Sequence, residues 1–444
     1  MASEQCAPAP GRVVFPFMSS IALATLAGVL AWSPAAAQTP LSLAQAQRIA
    51  LAQSRQLPAQ DLAASAARDL AVAAGQLPDP ILKIGIDNLP VNGPGQFRVN
   101  EDSMTMRRIG VMQELTRGEK RRLRAERFER DADLALAEKT VAAAAIERDT
   151  ALAWLERYYA EAMAAVIAEQ IAHTRLEVAA AEAAYRGGTG RQADVFAARG
   201  ELAALGDRAS EIDRRIRTAK AMLERWIGSD ADMPLASLPA MDAVGLDSAG
   251  LEARMGGQPG IAVIDKQEAI AATEAKLAQS NKKADWSVEV MYQQRGSGYS
   301  NMVSVGLSVP LQWDQRSRQD REVAAKHALL EKTRAQREDA LRAQVAQTHA
   351  MILEWQNGRE RQARYATELL PLAGQRSAAT LAAYRAGKAA LVDVLGARHD
   401  EIDLRLKWLE LDAGVARLWA QLRFLFPSSE AARQLENSRH EVGR

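Results

Sequence analysis

The sequence predicts a mainly α-helical fold with a membrane β-barrel segment, assembled from two copies of one unit. Three observations carry that expectation. The first is an internal repeat, in which Ala183-Ala184-Tyr185-Arg186-Gly187-Gly188 returns as Ala382-Ala383-Tyr384-Arg385-Ala386-Gly387. The second is a pair of proline-poor runs far longer than an ordinary globular helix. The third is a set of four segments, each of about ten residues, that alternate apolar and polar side chains.

The repeat is ordered along the chain. Asp194-Val195 pairs with Asp393-Val394 and Ala198-Arg199 with Ala397-Arg398, at a constant offset of 199 residues. Upstream, Ile109-Gly110-Val111 aligns with Val305-Gly306-Leu307, Leu115 with Leu311 and Pro58 with Pro259. Each copy reads helix, strand, loop, strand, long helix, turn, helix. The copies span 38–228 and 258–426, with 229–257, rich in Pro, Gly and Asp, between them.

The strands are expected at about 80–88 and 104–115 in the first copy, and at about 286–294 and 301–311 in the second. Leu82, Ile84 and Ile86 alternate with Lys83, Gly85 and Asp87. Trp286, Val288, Val290 and Tyr292 alternate with Ser287, Glu289, Met291 and Gln293. Val303, Val305, Leu307, Val309 and Leu311 alternate with Ser304, Gly306, Ser308 and Pro310. Loops at 88–103 and 295–300 join the pairs. Tilted strands of this length cross a bilayer. Four strands cannot close a barrel, for which about eight is the minimum, and open edges are not tolerated in lipid. Strands that span a membrane must therefore be pooled with those of other subunits. The same alternation also suits a half-buried soluble sheet.

The helices are expected at about 117–186 and 192–227, and at about 315–385 and 390–426. The first run holds no proline and, at roughly 1.5 Å per residue, extends about 105 Å. The third holds only Pro371. Such lengths point to coiled-coil or tubular packing, and the charged residues along them form solvated faces.

Composition narrows the class. Lys+Arg number 56 against 55 Asp+Glu, a balance that argues against a nucleic-acid partner. Arg12, the apolar run from Ile21 to Trp32 and the small residues Ala35 and Ala37 read as a signal peptide over 1–37; the competing reading is a transmembrane anchor, and Met18 is an alternative start. The single cysteine, Cys6, would leave with that peptide, so the mature chain carries no disulfide or thiolate ligand. Residues 427–444 are polar and read as a flexible tail. No His-Glu-x-x-His, phosphate loop or Gly-x-Ser-x-Gly elbow occurs, so no enzymatic activity and no cofactor are expected. The five histidines show no ligand spacing.

Taken together, the signal peptide, the duplicated unit, the two strand hairpins and the Tyr-Arg-x-Gly…Asp-Val turns resemble the TolC-like outer membrane efflux family, over about 41–426. The resemblance implies a homotrimer in which pooled strands close a 12-stranded outer-membrane barrel, continued by a periplasmic α-helical tunnel. It implies an outer-membrane exit channel of a tripartite efflux system, partnered by a periplasmic adaptor (membrane fusion protein) and an inner-membrane pump of the RND type. Residues 229–257 would form a belt around the tunnel.

The turns at 185–194 and 384–393 would then be the periplasmic tip and the gate. Asp194 and Asp393 match the family's acidic tip positions, and six carboxylates from three subunits would favour cations at the entrance. Arg186, Arg191, Arg385 and Lys388 are candidates for closing bonds or adaptor contact, and Gly188 and Gly387 for the tight turns. Simple N-capping by Asp194 and Asp393 is the alternative. Ala389 stands where a basic latch residue can occur in the family.

Asp87-Asn88-Leu89-Pro90, Met104-Thr105-Met106-Arg107-Arg108 and Val111-Met112-Gln113-Glu114 resemble the heavy-metal branch. By strand parity Met104, Met106, Arg108, Met112 and Glu114 share a face. Met104, Met106 and Met112 are candidate lumenal contacts for a soft cation such as Cu(I), against the alternative that they merely fill space. Organic compounds or drugs, or proteins of a type I secretion system, are the alternative cargo. A periplasmic helical-hairpin adaptor is the competing class; the two long-helix copies and bilayer-length strands oppose it.

Overall fold

A computed structural model describes residues 40–246, 250–429, 431–433 and 435. The segment read as a signal peptide, 1–37, lies outside the described residues. The described residues belong to one compact unit, which begins at Pro40.

The Ser42 hydroxyl accepts the Gln45 amide at 3.2 Å and starts α1, Leu43–Gln53. α2, Gln56–Ala74, stops at Gly75. β1, Ile81–Asp87, and β2, Met106–Leu115, form an antiparallel hairpin. α3, Gly118–Arg186, runs for 69 residues, roughly 100 Å, and α4, Gln192–Ile227, returns. A short α5, Leu251–Gly256, precedes α6, Pro259–Asn281, whose first residue is a proline under a Gln258 cap. The second hairpin is β3, Trp286–Gln294, and β4, Met302–Ser308. α7, Gln319–Arg364, α8, Leu370–Arg385, and α9, Leu391–Arg423, complete the second copy.

Two elements depart from the sequence reading here, the second in two places, each for a local reason. β4 ends at Ser308 rather than near 311, because Pro310 has no N–H to give the ladder. The expected helix from 315 starts at Gln319, after a turn in which the Asp314 carboxylate accepts the Ser317 amide at 3.1 Å. That helix also widens into a π-turn at Tyr365–Leu369, where the Leu370 N–H reaches the Tyr365 carbonyl. Pro371 cannot donate to the Thr367 carbonyl four residues back and its ring crowds that oxygen, so the wider turn absorbs the conflict.

The sheet order is β1-β2-β3-β4, antiparallel throughout. The helices beneath repeat that order: α2 packs on α3, α3 on α6 and α6 on α7. Each helix enters or leaves the strand above it, so four helical columns follow the strand order, with α2 and α7 at the two sides. Ion pairs join the columns. Lys139 meets Asp61 at 2.6 Å, Arg127 and Lys326 share Glu274 at 3.1 and 2.7 Å, and Arg334 meets Glu268 at 2.9 Å.

The core sits midway along α3, where both copies converge. Trp154, Leu155 and Tyr159 of α3 pack with Leu223 and Ile227 of α4 and with Trp419 and Leu422 of α9. The segment 229–257 closes this core. Leu41 and Leu235 form a parallel bridge, and the indoles of Trp154 and Trp419 donate to the carbonyls of Leu41 and Ala243 at 3.1 and 3.2 Å. The expected loose tail is packed at its start: Ala431 and Leu435 are buried in the same core, and the Ser428 amide donates to Glu147 at 2.8 Å. Their spacing puts both apolar side chains on one helical face.

Gly358 lets α7 come close to α9: a Cβ there would lie 2.5 Å from Cγ2 of Val415. Gly414, on α9, has open space around it. Gly358→Ala is therefore expected to lower the thermal midpoint by an overpacking cost of about 1–3 kcal/mol. Gly414→Ala should raise it by up to about 1 kcal/mol through helix propensity. Circular dichroism of the two variants side by side checks the pair.

Candidate functional site

The cross-strand register sorts the sheet into two unlike faces. Ile84, Ile109, Tyr292 and Val303 form one row, and Leu82, Val111, Val290 and Val305 the next. This face is apolar and open: Ile84 is 72% exposed and Val305 73%. The other face carries Lys83, Asp87, Arg108, Glu114, Glu289 and Gln293 together with Met106, Met112, Met291 and Met302. Lys83 pairs with Glu289 at 2.6 Å and Arg108 with Asp87 at 3.3 Å. The Glu114 carboxylate accepts the Thr116 hydroxyl at 3.3 Å and meets no cation among the described residues.

Of the three predicted methionines, Met106 and Met112 lie on this polar face. Met104 does not, because β2 begins two residues later. It sits exposed in the preceding turn, its amide bonded to Asp102 at 2.6 Å and its carbonyl to Asn88 at 3.2 Å. The sequence reading missed Met291, which is buried at the centre of the face opposite Gly110. A Cβ on Gly110 would lie 2.5 Å from the Met291 Cγ, so the glycine makes room for the methionine. The alternation of β3 already placed Met291 opposite to Val290 and Tyr292; only its pairing with Gly110 needed the register.

At the far end of the helices the two hairpin turns share one geometry. Gly188 and Gly387 have φ of 73° and 71°, a left-handed conformation that suits glycine. Each accompanies a backbone bond to the carbonyl of Tyr185 or Tyr384. Val195, Ala198, Leu391 and Leu395 pack the two turns together, with Tyr384 against them and Tyr185 half exposed.

The two acidic residues are not equivalent. Both cap their return helix, Asp194 through the Arg191 amide at 3.4 Å and Asp393 through the Ala390 amide at 2.9 Å. Asp194 is also held by the Arg191 guanidinium, at 2.9 and 3.3 Å. Asp393 has Ala390 in that position and stays exposed. Arg186, Arg385 and Lys388 are exposed and meet no carboxylate among the described residues.

Above the tip, polar contacts tie the second helix pair to the first. Arg398 meets Glu177 at 3.0 Å, His399 meets Glu201 at 3.2 Å and Arg208 meets Asp403 at 2.6 Å, while within α9 His399 also meets Asp403 at 3.4 Å. Burial pushes the Glu177 carboxyl above its ordinary value. Higher up, Asp412 accepts from the Tyr159 hydroxyl at 2.9 Å and from Gln362. Burial raises the Asp412 carboxyl too, and burial and that carboxylate raise the Tyr159 phenol. No cluster of three or more His, Cys, Asp or Glu suited to a metal ion occurs among the described residues. No helix among them is long and apolar enough to cross a membrane.

A raised Asp412 means that folding penalises its charged form above the folded pKa, and that the penalty fades as pH falls toward the ordinary aspartate value. Asp412→Asn keeps an acceptor without the charge. The variant should gain thermal stability relative to the parent at pH 7–8 and lose that advantage toward pH 4, as read from unfolding midpoints across that range.

No protein-family model matches the sequence, and no curated protein matches it. Solved structures do. The outer-membrane channel OprN is 17% identical, with a TM-score of 0.72 over 87% of this chain and 90% of that one. The outer membrane protein VceC from Vibrio cholerae is 18% identical, with a TM-score of 0.70 over 86% and 95%. CusC, whose structures follow folding and transmembrane channel formation, is 14% identical, with a TM-score of 0.72 over 87% and 92%. The chain has the fold of these outer-membrane channels, mainly helical with a four-stranded antiparallel sheet.

Proposed function

We propose that this chain is the outer-membrane exit channel of a tripartite efflux system, working as a homotrimer. One observation carries the reading: the sheet has one exposed apolar face and one polar, ion-paired face, and among the described residues the outer edges of β1 and β4 have no strand partner; the reading sets the apolar face outward and the polar face inward. In hydrocarbon an unpaired edge is costly, so β4 of one copy takes β1 of the next and the pooled strands close a barrel. The same closure would cover Leu62, Leu70 and Val72 on α2 and Leu329 and Leu353 on α7, all exposed in the single chain. The helices then continue the pore across the periplasm. The partners are a periplasmic adaptor and an inner-membrane pump of the RND type, and the protein's work is passage, without a reaction.

The tip is the gate in this reading. Arg191 neutralises Asp194, so a ring of three Asp393 carboxylates sets the charge at the entrance. Arg186, Arg385 and Lys388 are free for bonds to a neighbouring copy or the adaptor. For cargo we favour heavy-metal cations. The inward face supports this: its ion pairs cancel, Glu114 is left over, and Met106, Met112, Met291 and Met302 offer thioethers suited to a soft ion.

Two experiments test these levels separately. Val305→Arg puts a charge on the lipid face at a cost of about 2–4 kcal/mol near the midplane, and should abolish accumulation in the outer membrane. Ser304→Arg, on the inward face, should leave it intact. The opposite pattern would sink the channel reading. A deletion strain should be selectively sensitive to copper, silver, zinc, cobalt or cadmium, with Met106→Leu, Met112→Leu and Met291→Leu combined restoring tolerance only in part. Sensitivity to dyes and detergents with normal metal tolerance would assign organic cargo instead.

A further inference from the structure

The apolar outward band of the sheet gives way, at its loop end, to arginine. Arg107 is exposed on the outward side of β2, between Ile86 of β1 and Gln294 of β3, one outward step beyond the row of Ile84, Ile109 and Tyr292. A step of two residues is about 7 Å, so in the channel reading the guanidinium stands at the loop-side rim of the apolar band. Tyr292 marks the same level, its hydroxyl taking a bond from Asn301 at 2.7 Å.

Two guanidiniums converge on one loop segment. Arg107 donates through Nη2 to Oδ1 of Asn100 at 2.8 Å. Arg295 donates through Nε to the Ser103 carbonyl at 2.9 Å, and through Nη2 to the same oxygen. It also lies 4.9 Å from the centre of the Tyr299 ring. Both are therefore oriented by neutral groups, and neither has a carboxylate within ion-pair distance among the described residues. The acids nearby are engaged: Glu101 pairs with Arg98, Asp102 accepts the Met104 amide and Asp87 pairs with Arg108. The two loops are in tight contact, since a Cβ on Gly296 would lie 2.7 Å from the Asn100 carbonyl oxygen. Charge held in place without a counter-charge, at the rim of an apolar band, is suited to a phosphate presented by a lipid, which guanidinium binds in bidentate fashion.

We propose that Arg107 and Arg295 bind a phosphate of the phosphorylated glycolipid that forms the outer leaflet, tying the loop end of the barrel to its membrane. The inference rests on the channel reading, because it needs the apolar face in lipid. The test uses the full chain in phosphatidylcholine vesicles carrying either bis-phosphorylated lipid A or its dephosphorylated form, with retained lipid counted by native mass spectrometry. The parent protein should retain the phosphorylated form with at least about tenfold preference. Arg107→Gln should remove most of that preference, Arg295→Gln should weaken it as well, and Arg98→Gln, already neutralised by Glu101, should leave it unchanged. Arg107→Gln decides the matter if Arg295→Gln unseats the loops. Equal retention of both lipids, or displacement of lipid A by millimolar inorganic phosphate, would overturn the proposal while vesicle insertion upholds the channel. A parent chain that fails to enter the vesicles would overturn both.

Discussion

In the proposed channel the sheet lies in hydrocarbon, where a backbone N–H or C=O has no water to fall back on, and that constraint ties the other features of the structure together. The four strands satisfy one another internally, with every pairing antiparallel and in register from Ile81 to Ser308. Two edges are left, one on β1 and one on β4. The apolar outward face makes water a poor environment for the sheet, and the open edges make lipid a poor one. Both demands are met together only when several sheets join edge to edge. The helices inherit the same geometry, because α2, α3, α6 and α7 each continue a strand and keep its place in the order.

Cohesion among the helices is distributed unevenly for a physical reason. A helix of 69 residues cannot bury much at its ends when only one or two neighbours touch it. Close to the sheet the columns are therefore held by small apolar contacts, such as Ala64 and Ala67 against Ala132 and Ala135, and by ion pairs at Glu274 and Asp61. Large side chains are reserved for the middle, where α1, α5 and the chain between the copies add a further layer over Trp154 and Trp419. Toward the tip, Val195 and Ala198 pack against Leu391 and Leu395, and ion pairs of Arg398, His399 and Asp403 with Glu177, Glu201 and Arg208 run beside them.

The two copies have diverged where the proposed function needs them unlike. Arg191 and Ala390 occupy matching positions, yet one cancels its aspartate and the other leaves it charged. Gly110 and Gly306 also match, but only Gly110 faces a methionine that needs its space. A symmetric duplication thus carries an asymmetric lining, at both the sheet and the tip.

The repeat, the alternation and the proline-free runs made the duplicated architecture legible in the sequence, because period and turn chemistry are local properties of the chain. The two faces of the sheet could be assigned by parity, and Gly188 and Gly387 stood out because their turns require a left-handed residue. Other features were decided by tertiary contact. Met104 left the methionine set because pairing with β1 starts at Met106. Met291 joined it because its partner across the ladder is Gly110. The tail packed because Glu147, far away in sequence, holds the Ser428 amide. Arg107 and Arg295, far apart in sequence, each bond to the loop from Asn100 to Ser103. Local sequence sets which conformation a segment prefers, whereas which side chains meet depends on register and on chain returning from hundreds of residues away.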